Sequence, residues 1–128
     1  MDTKSIIEAV FAKWAAAISE TDIGTNYSME RSETVNTLPY ASLFFMSVTG
    51  QGYDLSNIEC GITADVQVDI YVKSTDKLSK LYELDEVSHQ AMQEMGFRRT
   101  SGISFDMSDS GYKRLVNRYS RVIGFGDF

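Results

Sequence analysis

Asp65 and Asp69 are the paired carboxylates whose type and spacing could do acid–base chemistry. Four residues along a strand span about 13 Å. That exceeds the carboxyl separation of either glycosidase geometry, about 5–9.5 Å. The reading for the pair is therefore a wet strand face, with cross-strand arginines such as Arg118 or Arg121 opposite. Asp85 and His89 stand at i,i+4 on a helical pattern, half of a triad. A triad also needs a nucleophile beside the imidazole. Ser88 is adjacent in sequence but falls on the core side of that helix, which leaves His89 a solvated surface residue. Cys60 has no neighbouring base or metal partner in sequence and reads as a small buried hydrophobe. Gly50-Gln51-Gly52 lies between two strands, whereas a phosphate loop needs strand, loop and helix.

The elements around these residues follow from periodicity. Ile6, Ile7, Val10, Phe11, Trp14 and Ile18 fall on one arc of about 140° at helical spacing. They predict an amphipathic helix over 3–19, capped by Asp2 or Thr3. Residues 20–38 read as a loop holding one short strand near 27–35. Pro39 precedes an aromatic and β-branched run over 40–49, a strand. Residues 50–57 read as a polar loop. From Ile62 to Val72 apolar and polar residues alternate, a strand with one buried and one wet face. Ser74 or Thr75 caps a second helix running to Met95, with Leu81, Leu84, Val87, Ala91, Met92 and Met95 on one face. Gly96 stands where a helix ends in a left-handed residue, and Phe97 closes over the last turn. Strands over 97–107 and 112–124 form a hairpin around the turn 108–111. The sum is one α+β domain over 1–128, order α-β-β-α-β-β. It has a mostly antiparallel sheet of about four strands, with two helices packed on one face.

Composition narrows the function classes. The chain has 128 residues, 43% hydrophobic and 23% charged, as ordinary globular domains do. One cysteine excludes an internal disulfide, and one His with one Cys excludes the usual zinc sites. The net charge of −6 speaks against a stand-alone nucleic-acid binder. Asp2, Glu8 and Lys13 interrupt the N-terminal apolar pattern, so neither a secretory signal nor a membrane span is expected. The expected compartment is the cytoplasm of the cell that makes the protein. Arg98, Arg99, Lys113, Arg114, Arg118 and Arg121 gather in the last third, while acids are heavier before it. That asymmetry suits a basic patch on one copy meeting an acidic patch on the next, head to tail.

The strand Ala64–Val72 runs directly into the helix 74–95. That helix ends Met95-Gly96-Phe97-Arg98-Arg99, and a hairpin follows that ends Tyr119-Ser120-Arg121-Val122-Ile123-Gly124. Pro39-Tyr40 opens the strand before. Over about 39–124 this order resembles the small tail terminator or tail completion (head–tail joining) proteins of long-tailed bacteriophages. The resemblance implies a non-enzymatic virion component at the tail–head junction, made in the host bacterial cytoplasm. Its copies would form a homo-oligomeric, six-fold ring on the tail tube, stop tube polymerisation and dock a head connector. It implies no catalytic residue, cofactor or metal, no membrane, and DNA only as passing cargo. The long polar loop and the 108–111 turn are then the expected contact segments, with Gln51, Tyr53, Asp54 and Asp109 in them. Asp65, Asp69, Arg118 and Arg121 complete the expected contact surface.

A head-closure or stopper connector is the near alternative. A small ligand-binding α+β module with an apolar pocket is a different class. An enzyme would have to use Asp85, His89 and Cys60.

Overall fold

The computed structural model describes residues 3–29, 38–53, 59–101, 104–107, 112–124 and 127, with side chains outside 49–53, 59–60 and 104–107. Helix α1 (Thr3–Ile18) buries Ile6, Val10, Trp14, Ala15 and Ile18, the stripe that its spacing dictates. Thr21 ends the helix: its hydroxyl donates to Ile18 O at 2.6 Å and accepts from Ile23 N–H at 3.2 Å. Gly24, at φ +56°, turns the chain into the short strand β1 (Tyr27–Ser28).

Strands β2 (Tyr40–Tyr53) and β3 (Glu59–Lys73) form a long antiparallel hairpin. Residues 50–53, expected as loop, are strand. Both strands pair past the glycines, and Tyr53 meets Glu59. One β-bulge interrupts the register at Met46, between Phe45↔Val66 and Ser47↔Asp65. Helix α2 (Leu78–Glu94) starts later than expected, and neither Ser74 nor Thr75 caps it. Those residues lie in a turn closed by Asp76, whose N–H donates to Lys73 O and whose carboxylate accepts Lys73 N–H. Extended Lys77 leads into the helix instead. The far end is a Schellman motif: Phe97 N–H donates to Met92 O and Gly96 N–H to Gln93 O, with Gly96 at φ +83° and Phe97 buried.

The single strand expected over 97–107 is two strands, β4 (Arg98–Arg99) and β5 (Ser104–Met107), both paired with β6 (Tyr112–Gly124). From Arg99↔Tyr119 to Ser104↔Val116 the chain advances five residues while β6 covers three, so β4 and β5 do not share one register on β6. The sheet order is β1-β2-β3-β6-β4, with β5 also on β6. Among the described residues six strands thus stand where about four were expected, in the same α+β class. Among the described residues, only β1 against β2 is parallel.

Ile62, Ala64, Val66, Val68, Ile70 and Val72 carry the helices. With Leu43, Leu115, Ile123 and the apolar stripes of α1 and α2 they form the core. The two helices therefore share one face of the sheet.

Pairing between β3 and β6 stops at Gly61↔Gly124. There the chain folds back, with Asp127 N–H donating to Gly124 O at 3.0 Å and Gly124 N–H to the Asp127 carboxylate at 2.9 Å. Beyond that point, among the described residues, β2 and β3 pair with each other as far as Tyr53↔Glu59. A Cβ on Gly61 would stand 2.5 Å from Ile123 O, whereas one on Gly124 meets only Asp127 at 3.5 Å. Gly61→Ala is expected to cost about 1–3 kcal/mol in urea unfolding, as overpacking does, and Gly124→Ala under about 0.5 kcal/mol. Equal effects at the two sites would remove the close approach as the reason for Gly61.

Candidate functional site

Two groups of polar side chains stand out, one on each face of the sheet. The first lies on the face away from the helices. There β3 turns Asp65, Gln67, Asp69 and Tyr71 outward, alongside Arg114 and Arg118 from β6. This face was expected to be wet, and part of it is not. Asp69 is fully buried, and Gln67 and Tyr71 nearly so. Arg114 Nη2 and Gln67 Nε2 each donate to the Asp69 carboxylate at 2.8 Å. The Arg114 guanidinium lies 5.7 Å from the centre of the Tyr71 ring. Tyr40 and Tyr112 flank Tyr71 at 5.8 and 5.3 Å between ring centres. Alternation sets which way a side chain points. Large neighbours decide whether water reaches it.

Asp69 therefore leaves the expected contact surface. Its cation is Arg114 and not Arg118 or Arg121. Arg118 donates its Nε–H to Gln67 Oε1 at 3.2 Å. Arg121 has the opposite parity on β6 and reaches the helical layer, donating to Met95 O at 2.6 Å and to Asp127 at 2.9 Å. There it neutralises the carbonyl end of α2. Asp65 stays half-buried and accepts the Ser47 hydroxyl at 2.8 Å. Arg118 is exposed. Gln51 and Tyr53 lie on the strand that outruns β6. Asp54, Asp109, the 108–111 turn and the proposed cap Asp2 lie outside the described residues. Exposed residues the sequence reading passed over are Val122, 63% accessible, and Met46, 41%. The even-numbered parity of β6 that exposes Arg118 also marks Val122.

The second group sits between α2 and the sheet. Asp85 is buried, not a surface partner of His89. It accepts from Asn117 Nδ2 and from Arg99 Nη2, the latter at 3.3 Å. Arg99 Nη2 also approaches the Tyr119 oxygen at 3.4 Å, and His89 Nδ1 lies 3.1 Å from that oxygen. With Arg99 donating into its oxygen, Tyr119 can turn its proton toward a neutral His89 Nδ1. His89 is accordingly half-buried, not solvated. Ser88 is fully buried, as its place on the helix demands, and accepts the Trp14 indole N–H at 2.9 Å. The hydroxyl a triad would need is thus already engaged. Asp85 lies within the run Leu81, Leu84, Ser88, Met92 at i,i+3,i+4 spacing, a signal that could have placed it inside.

Burial raises the Asp85 pKa above its ordinary value of 3.8, against the opposing pull of Arg99, His89 and the Asn117 hydrogen bond. A raised folded-state value means that the stability Asp85 contributes is complete below pH 3.8 and is lost as pH rises through that raised value. Asp85→Asn should therefore gain on the wild type as pH climbs from the acid side to neutrality. The gain is about 1.4 kcal/mol for each tenfold change in the carboxyl's proton affinity. A stability difference that stays constant with pH would remove Asp85 as the cause. Burial also raises Tyr119 above 10, so its contribution is lost only as alkaline pH passes through the raised value.

Two grooves lie among the described residues, away from both groups. A groove of about 610 Å³ runs between the helices past Lys13, Ala17, Gln90 and Glu94. A smaller one continues from it to Arg121 and Asp127. Neither is lined by Asp85, His89 or Asp69. Among the described residues no cluster of His, Cys, Asp and Glu is arranged to hold a metal, and no helix is long and apolar enough to cross a membrane. No protein-family model matches this chain, and no curated protein matches it.

Proposed function

We propose that this chain is a structural subunit of a bacteriophage tail. Its copies form a ring at the head-proximal end of the tail tube, stop the tube's growth and join tail to head. The observation that carries this reading is the β2–β3 hairpin, whose pairing continues to Tyr53↔Glu59, one step past Gly61↔Gly124 where the described pairing with β6 stops. A two-stranded ribbon alone is marginal in water. A hairpin end of that kind is ordered by a neighbour, and in a ring every copy has one. The chain's acid–base groups support the same reading, since Asp85, Asp69, Ser88 and Tyr119 bond to internal partners. Arg118, Val122 and Asp65, on the sheet face free of helices, extend the contact surface from the hairpin end. The protein works without cofactor or catalysis, in the virion, with the tube protein and a head connector as partners.

The test is an early stop codon in this gene, in the phage or prophage that carries it, with electron microscopy of the lysate. Abnormally long tails without heads are the expected result. Normal-length free tails beside separate heads would move the protein to the head side of the joint. Fully infectious particles would overturn the structural reading.

A further inference from the structure

His89 is the chain's only histidine, and it stands at the end of a line of polar contacts that a single proton can reach. Its Nδ1 lies 3.1 Å from the Tyr119 hydroxyl oxygen. Arg99 Nη2 approaches that oxygen at 3.4 Å and donates to Asp85 Oδ2 at 3.3 Å. Asn117 Nδ2 donates to the other Asp85 oxygen. The line crosses three elements: α2 supplies Asp85 and His89, β4 supplies Arg99, and β6 supplies Asn117 and Tyr119. It is the polar part of the seat that holds the middle of α2 on the sheet.

The line has a direction. A guanidinium only donates, so the Tyr119 oxygen accepts from Arg99. The tyrosine's own proton then turns to His89, whose Nδ1 accepts it only in a neutral ring with its hydrogen on Nε2. An imidazolium donates from both nitrogens. With that ring in place, the tyrosine oxygen would meet donors from two sides, and its buried O–H would lose its acceptor. A buried donor left without an acceptor is costly. Charge decides where the imidazolium goes. Arg99 from β4 repels it, and Asp85 and Glu86 from α2 attract it. Both Asp85 oxygens are already engaged by Arg99 and Asn117. Glu86 is exposed one turn before His89, so its attraction draws the ring outward. His89 is half-buried and has that route open.

We propose that this seat is a pH-sensitive joint, in which a second proton on His89 moves the ring off Tyr119 toward solvent and loosens the middle of α2 from β4 and β6. Imidazoles take up that proton between about pH 8 and about pH 5. Asp85 works in the opposite sense. Burial favours its protonated form in the folded chain, so falling pH strengthens its share of the seat while His89 weakens its own. The joint belongs to the single chain and does not rest on ring assembly.

The test uses the full chain. Nitrogen-15 shifts of the one imidazole should show Nδ1 without a proton at about pH 8. As the histidine titrates, amide hydrogen exchange over Asp85–Met92, corrected for intrinsic rates, should accelerate about tenfold or more relative to β3. Tyr119→Phe has no hydroxyl proton to strand, so it should keep the histidine titration and lose the acceleration. Asp85→Asn should keep the acceleration. A neutral ring protonated at Nδ1 would overturn the joint. So would exchange over Asp85–Met92 that follows β3 through the histidine titration, an acceleration undiminished in Tyr119→Phe, or one that vanishes in Asp85→Asn. The tautomer and the exchange profile need only the wild type, so a variant that fails to fold leaves the test standing.

Discussion

Arg114→Met is expected to cost about 3–5 kcal/mol, the range for stranding one half of a buried ion pair. The reason lies in what remains. Asp69 has no solvent exposure, and Arg114 supplies its cationic partner at 2.8 Å. Without the guanidinium, the carboxylate keeps the Gln67 amide at 2.8 Å and the Tyr71 hydroxyl at 3.5 Å. Neither neutralises its charge. Methionine retains much of the arginine's aliphatic packing, so the loss reports electrostatics more than volume. The double variant Asp69→Leu, Arg114→Met should recover most of the loss, because a buried pair removed whole is often neutral. Urea unfolding of the wild type, the double variant and the single variants Arg114→Met and Asp69→Leu closes the cycle. A single-variant loss under about 1 kcal/mol, the scale of an exposed pair, would mean that water reaches Asp69.

Trp14→Ala comes next, at about 3–5 kcal/mol for a large aromatic removed from a core. The indole is wholly buried, with the rings of Phe11 and Tyr27 at 5.8 and 6.2 Å. It also joins the two helices, through its N–H to Ser88 Oγ. That bond can be measured apart from the packing. Ser88→Ala leaves the indole N–H buried without its acceptor, at about 1–3 kcal/mol. Trp14→Phe leaves the hydroxyl without its donor and costs a similar amount plus a small cavity. Trp14 is the only tryptophan, so its fluorescence follows unfolding in every variant that keeps it. A neutral Ser88→Ala would show that the helices are held by packing alone.

The α+β class, the register-defining alternation of Ile62–Val72 and the helix end at Gly96 were legible because each rests on local periodicity or one backbone conformation. Burial on the second face of β3 was not legible. Asp69 is covered by Arg114, forty-five positions away, and no local pattern encodes that meeting. Asp85 was the opposite case. Its spacing placed it inside α2's buried stripe, and its charge alone argued it out. The run Gly50-Gln51-Gly52 reads as loop by composition, yet pairs as strand, since glycine permits a close sheet as readily as a turn. Of the candidate contact residues, Arg118 and Asp65 keep access to solvent. Arg121 does not face that surface, for a reason of parity that a one-residue shift in strand numbering would have reversed.

The central position of β3 also governs the order of events during synthesis. Its first long partner, β2, precedes it in the chain, but its second, β6, begins only at Tyr112. At about 5–20 residues per second, ribosomes leave the flank of β3 without its β6 partner for some seconds after Lys73 has been added. During that interval the valine-rich middle strand resembles an edge, and nascent chains on one message travel close together. Slow translation between α2 and β6 would lengthen the exposure, and chaperone demand should rise with it.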